Sequence, residues 1–222
     1  MTSAAFFDVD GTLTRTTILD PLVWYQRAHL SRPRFALWAA GLLLQLPYYL
    51  WIDRRSRSQF NVVFYRRYAG LSAAALRDWH RQTFAENLQR TLFPAALECL
   101  REHRRQEHRT VLVTGALDFV MQPLGEFVQA DDLLAHQLME RDGLFTGELS
   151  GPPIADEQKA ALVREYAQRH GIDLGQSFAY GNSLGDAPLL ACVGRPVAVN
   201  PDGRLRRLAA ECGWDIVEWK RK

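Results

Sequence analysis

Ala4-Ala5-Phe6-Phe7-Asp8-Val9-Asp10-Gly11-Thr12-Leu13-Thr14 is the stretch from which the rest of this chain is read. Its four leading apolar residues spell a short buried strand, and the polar cluster after them spells the loop leaving that strand's carboxyl end. Asp8 and Asp10 stand two apart, so an extended exit points both carboxylates the same way. Gly11 lets the backbone turn sharply and approach a ligand closely. Two carboxylates held together repel and raise a pKa unless a cation lies between them. A hard cation with oxygen ligands, such as Mg²⁺, is the economical answer. An EF-hand loop fits poorly, because no second Asp or Asn precedes the Gly and no Glu closes the loop. A plain turn after a strand is the bland alternative. The ordered arrival of strand, carboxylate pair, Gly and Thr favours a site.

The 222 residues suffice for one well-buried domain, or for a core with a modest insertion. With 47% hydrophobic and 23% charged residues, the composition excludes a disordered or fibrous chain. Cys99, Cys192 and Cys212 are an odd number without metal-ligand spacing, and they read as reduced thiols of a cytoplasmic protein. No basic region precedes the first apolar run, so no signal peptide is read. The net charge of +2 conceals an asymmetry: residues 21–85 hold ten arginines, two aspartates and neither lysine nor glutamate. Solvated helix faces are the favoured explanation, and steering of an anionic substrate is the second. No module accompanies the charge, so no nucleic-acid partner is expected.

Beyond Thr14 the pattern is helical up to about Leu92, with candidate helices over 21–30, 35–52, 58–68 and 73–88 and Ser72 capping the last. The uncharged run from Phe35 to Ile52 is just long enough to cross a membrane. Gln45 and Pro47 interrupt it and arginines flank both ends, so a buried helix with a kink or break at Pro47 is expected. A monotopic contact with a membrane surface, or an apolar lid for a lipid-like substrate, stays open as the less favoured reading.

From Phe93-Pro94 onward helices and strands alternate, which implies a parallel sheet. A helix over 95–105 leads to a strand over 110–113, which ends in Thr114-Gly115-Ala116, with a further helix from Leu117. Residues 131–139 read as a third strand and Gly143 to Gly147 as a hairpin turn, contributing scaffold. Gly151-Pro152-Pro153 breaks the chain before a helix over 156–170. Near that helix's start stands Lys159, one of only three lysines beside 24 arginines. A compact ammonium there would neutralise a carboxylate and an anionic ligand together where a broad guanidinium would not fit as well. A strand over 176–180 then ends in Gly181-Asn182-Ser183-Leu184-Gly185-Asp186. A helix over 188–193, strand 196–199, helix 204–212 and an edge strand 215–219 precede the basic tail. All the candidate site residues fall at strand ends or helix starts, where open α/β sheets bind ligands.

In this order the motifs resemble those of the haloacid dehalogenase (HAD) superfamily, and the helical insertion is similar to that of its phosphoserine-phosphatase-like members, subfamily IB. The resemblance covers nearly the whole chain. It implies an α/β, Rossmann-like parallel-sheet core, over 1–16 and 93–222, with a helical cap over 17–92 inserted after the first strand. It also implies a Mg²⁺-dependent phosphomonoesterase acting through an aspartyl-phosphate on a small or lipid-like phosphate ester. Asp8 would be the nucleophile and Asp10 the general acid and base, while Thr12, Thr114, Gly115 and Lys159 would bind phosphate. Asp8, Asp10, Asn182 and Asp186 would form the metal site. Asn182 departs from the family's usual aspartate and supplies no negative charge. That departure keeps open a weakly active or inactive phosphate- or partner-binding module; a phosphotransferase to an alcohol is the third reading. Thr17 stands where phosphoserine phosphatases carry a glutamate for the substrate's amino group, so an amino-acid phosphate is not favoured.

Overall fold

The computed structural model describes residues 2–220, so the last two residues of the basic tail lie outside the described residues. Six strands form one parallel sheet: β1 (Ala4–Phe7), β2 (Arg109–Leu117), β3 (Asp132–His136), β6 (Phe178–Gly181), β7 (Arg195–Val199) and β8 (Asp215–Val217). They are ordered β3-β2-β1-β6-β7-β8, which sets β1 inside the sheet, flanked on both sides. Its alternation sorts the core. Ala4 and Phe6 pack with Val111, Val113 and Leu189 on one face, and Ala5 and Phe7 with Leu112, Leu100 and Met121 on the other. Helices cover both faces, as a sheet with no solvated side requires. These are α5 (Pro94–Arg105), α6 (Asp118–Val128), α7 (Glu157–His170), α8 (Ala187–Ala191) and α9 (Gly203–Cys212).

The helical cap follows β1 and comprises α1 (Asp20–His29), α2 (Arg32–Arg55), α3 (Arg57–Tyr65) and α4 (Ala73–Gln82). Ser56 caps α3 by accepting from Gln59 N, and Ser72 caps α4 by accepting from Ala75 N. The cap shares one apolar core with the sheet, running from Phe60, Phe64 and Tyr68 to Phe119 and Phe145. A small hairpin, β4 (Leu138–Arg141) and β5 (Leu144–Leu149), forms its own antiparallel pair. It also ties the cap down. Gly70 N donates to Phe145 O, Phe145 N to Leu71 O, and Ala73 N to Gly143 O.

Several expectations need correction. The 131–139 segment is two strands, because the chain leaves the sheet at Gln137 and enters the hairpin. The second strand runs on past Thr114 to Leu117, where it pairs again with His136 after a bulge. Helix α4 stops at Gln82 instead of Leu88: Thr83 leaves the helical conformation and its hydroxyl takes the carbonyl of Trp79. Pro47 does not break α2, since it sits on an exposed side where water can serve the carbonyl that its ring strands.

The buried cap helix expected over 35–52 is not what forms. Only Leu42, Tyr49 and Ile52 of α2 are buried, because α2 meets the rest of the cap along one side alone. Leu37, Leu43, Leu44, Tyr48, Leu50 and Trp51 are exposed, Leu44 to 84%. Among the described residues, α2 is the one helix long and apolar enough to cross a membrane.

Three buried histidines make stability depend on pH. Burial lowers His80 to about 3, and lowers His103 and His136 to about 4. Each is neutral when folded but takes up a proton below about 6.5 when unfolded, so stability falls as pH drops through that value. Each contributes up to about 2 kcal/mol of this loss by pH 5. Among the described residues the buried Nε2 of His80 finds no hydrogen-bond partner. Denaturation midpoints should therefore fall between pH 7 and 5, and His80→Leu should flatten part of that slope.

Candidate active site

The site grows from the end of β1. Asp8 N still donates to Tyr180 O, so the sheet holds the backbone of Asp8 in place. The chain then folds back at once: the amides of Thr12, Leu13 and Thr14 all converge on the carbonyl of Val9. Gly11 makes the turn with φ of +83°, and a Cβ there would lie 2.2 Å from Nδ2 of Asn182. The glycine thus allows the β1 loop and the β6 loop to touch.

Across that contact lies a buried charge cluster. Nζ of Lys159, near the start of α7, donates to Oδ1 of Asp8 at 2.5 Å and to Oδ1 of Asp186 at 2.7 Å. Oδ2 of Asp8 accepts from the Thr12 hydroxyl at 2.7 Å. Oδ2 of Asp186 accepts from the amides of Asn182 and Ser183 and from the Ser183 hydroxyl. This difference divides the two acids. Burial, and then the charge of Asp186, raises Asp8 to about 6 against the pull of Lys159. Burial also pushes Asp186 upward, yet Lys159 and Ser183 together hold it below the usual carboxylate range. The two carboxylates outweigh burial at Lys159 and raise its pKa, so it stays charged. Burial raises Asp10 as well, opposed first by the Thr16 hydroxyl, which donates to Oδ1 of Asp10 at 2.7 Å.

The cluster floors a cavity of about 310 Å³ that the cap roofs. Asp8, Asp10, Gly11, Gly115, Lys159, Asn182 and Asp186 lie on the floor, and Leu46, Tyr49, Leu50 and Phe60 on the roof. Thr12 and Thr114 do not line it: Thr114 is fully buried and its hydroxyl accepts from the amide of Ala116. Thr17 lines the wall and donates to Asp20.

Sequence reading missed one stripe. Arg57, Asn61 and Tyr65 stand four apart on α3, so they share a helix face. Arg57 and Asn61 line the cavity, and the Tyr65 hydroxyl donates to Gly115 O at 2.6 Å. Asn61 among apolar neighbours was the available signal; Arg57 was one arginine of ten. His136 was missed too. It bridges the carbonyl of Gly115 and the amide of Ile154, which fixes its neutral tautomer and ties the β2 loop to the segment before α7.

Among the described residues no three His, Cys, Asp or Glu side chains converge as a metal cluster. The donor chemistry is nevertheless that of a hard cation. Oδ1 of Asn182 has only a long contact, 3.3 Å, to a Thr12 hydroxyl whose hydrogen goes to the nearer Asp8. That leaves an amide oxygen which shares the Thr12 hydroxyl with the Asp8 carboxylate, and both are oxygen ligands of the kind a hard cation takes. Asp186 accepts four hydrogen bonds where the Asp8 side chain accepts two, which suits support of the site better than direct ligation.

Residues 5–191 match the model of haloacid dehalogenase-like hydrolases. The chain belongs to that family. This hydrolase is 31% identical, over 99% of its length and 79% of the relative's, to an inhibition of morphological differentiation protein of Streptomyces azureus. It is 30% identical, over 99% of its length and 72% of the relative's, to phosphoserine phosphatase SerB1 of Mycobacterium tuberculosis. A solved protein of unknown function from Bordetella pertussis superposes with a TM-score of 0.82 at 27% identity, covering 99% of this hydrolase and all of that chain. Within the family the hydrolase groups with the phosphoserine-phosphatase-like phosphatases.

Removing Lys159 would strand two buried carboxylates. Lys159→Met should lower unfolding free energy by about 3 kcal/mol at neutral pH, read by denaturant titration. Adding Asp8→Asn to that variant should cost less than the sum of the two single changes.

Proposed function

We propose that this hydrolase is a Mg²⁺-dependent phosphomonoesterase working through an aspartyl-phosphate. The observation that carries the reading is the ammonium of Lys159, held between Asp8 and Asp186 on the floor of the capped cavity. Asp8, buried yet ionised above about pH 6, is the nucleophile. Its carboxylate attacks phosphorus and the bond to the ester oxygen breaks. Asp10, whose raised pKa favours a bound proton, gives that proton to the leaving alcohol. It then takes a proton from the water that attacks the aspartyl-phosphate, which releases inorganic phosphate and frees Asp8. Lys159 offsets charge on the phosphoryl oxygens, and Gly115 at the end of β2 lines the same cavity. Thr12 and Thr114 act one step back: Thr12 orients Asp8, and Thr114 holds the turn after it.

Asp8, the carbonyl of Asp10 and Asn182 would hold Mg²⁺, with Asp186 fixing the Asn182 loop. When bound, the ion supplies positive charge that compensates the phosphoryl group. Segments 1–16 and 93–222 form the catalytic core in this proposal, and 17–92 the cap that selects substrate and excludes water. The substrate is a phosphate ester with a partly apolar alcohol, because the roof offers Leu46, Tyr49, Leu50 and Phe60 beside the Arg57–Asp53 ion pair. Three free cysteines, Cys99, Cys192 and Cys212, suit a cytoplasmic setting.

Phosphate release from a panel of phosphomonoesters tests this. Turnover should need Mg²⁺ and fall on the order of 10⁴-fold in Asp8→Asn. Asp10→Asn should lose about 10²–10⁴-fold. Asn182→Asp should lower the Mg²⁺ concentration needed for half-maximal rate. No release by folded wild type over a broad panel would overturn the reading.

A further inference from the structure

Leu50 apart, the exposed side of α2 has no role in the chemistry proposed above, and its composition is unusual for a surface. On a helix of 3.6 residues per turn, Leu37, Leu44, Tyr48 and Trp51 fall within one narrow stripe. Leu43 and Leu50 form a second row beside it, and only apolar residues lie between the two rows. No charge occurs from Phe35 to Ile52. Charge returns at both ends and is basic: Arg32 and Arg34 before the stripe, Arg54 and Arg55 after it, all exposed. The guanidinium of Arg55 lies 4.4 Å from the ring centroid of Trp51, so aromatic and cation end together. Asp53, the one acid of α2, is paired with Arg57 at 2.7 Å and lines the cavity.

We infer that this face is a docking surface for an anionic phospholipid bilayer, on which α2 lies in the plane of the headgroups. An apolar stripe with Trp and Tyr, bounded by arginines, matches a half-immersed interfacial helix. Crossing the bilayer does not match. The opposite side of α2 is fastened to the cap through Tyr49 and Gln45, which both accept from Arg67, at 2.6 and 2.7 Å. It also buries Leu42, Tyr49 and Ile52 against its neighbours. A second copy of the chain matches less well. Whether two α2 helices ran parallel or antiparallel, arginine ends would meet arginine ends, with no exposed acid on α2 to offset them. An anionic bilayer supplies both the apolar layer and the negative charge. Leu50 belongs to this face and also to the cavity roof, so docking sets the cavity beside the headgroups. The inference does not rest on turnover, since binding to a bilayer needs no catalysis.

Flotation of the full chain with phosphatidylcholine vesicles, with and without phosphatidylglycerol, is the test. Wild type should float with the anionic vesicles and far less with the neutral ones, and high salt should weaken binding. Leu44→Glu combined with Trp51→Glu should reduce partitioning at least about tenfold. The melting temperature and the turnover of a water-soluble phosphate ester should stay unchanged in that variant. Brominated acyl chains should quench wild-type tryptophan fluorescence, a readout that needs no variant. Absence of flotation, equal flotation of the variant, or lack of quenching would overturn the inference. So would a wild-type dimer that the double change converts to monomer without any vesicle binding. A phosphatase assay that fails while flotation succeeds would count against the proposed reaction and leave this surface standing.

Discussion

One ammonium group fixes the centre of this molecule. Lys159 reaches from α7 to the end of β1 and to the loop after β6, and each contact is a buried charge pair. Burial alone disfavours all three charges, so none of them is stable there without the others. That mutual need makes the cluster a registration device: β1, β6 and α7 fit together in the arrangement that closes the triangle. The same need is met unequally within it. Asp186 is satisfied by Ser183 and the Asn182 amide, whereas Asp8 has one hydroxyl and a shared cation. The strain of burial therefore falls on Asp8, which faces the cavity.

Much of this was legible in the sequence for a simple reason. The parallel core writes itself as short apolar runs, and those of β1, β2, β6 and β7 give way to Asp8, Thr114, Gly181 and Asn200, at the strand ends where open α/β sheets bind ligands. Lys159 was legible because arginine is used almost everywhere else. Contacts between distant segments were not. Nothing local in Asn61 or Tyr65 says that β2 lies opposite, and His136 sits in an ordinary strand until Gly115 and Ile154 meet its two nitrogens. Boundaries failed where a side chain competed with the backbone, as at Thr83, or where one run served two sheets, as at Gln137.

Hydropathy misled at α2 because an apolar run states what a helix avoids, without saying what covers it. A helix that is apolar all round is normally enclosed. Here the cap provides cover along one side only, through Leu42, Tyr49 and Ile52. The apolar residues left outside are the same kind as those inside, so composition carried no information about which side faced the protein.

The hairpin that grips residues 70–73 has an evolutionary consequence. Three main-chain hydrogen bonds hold that stretch, and main-chain bonds are indifferent to side-chain identity. The half of the cap around α4 is thereby anchored in a way that substitution hardly touches. Helices α2 and α3, which roof the cavity, are tied to the core mainly through side chains such as Tyr65. Substitution can rewrite those two helices, and with them the lining of the cavity roof, while the stretch at residues 70–73 stays held. Cavity lining and fold are free to diverge at different speeds within one cap.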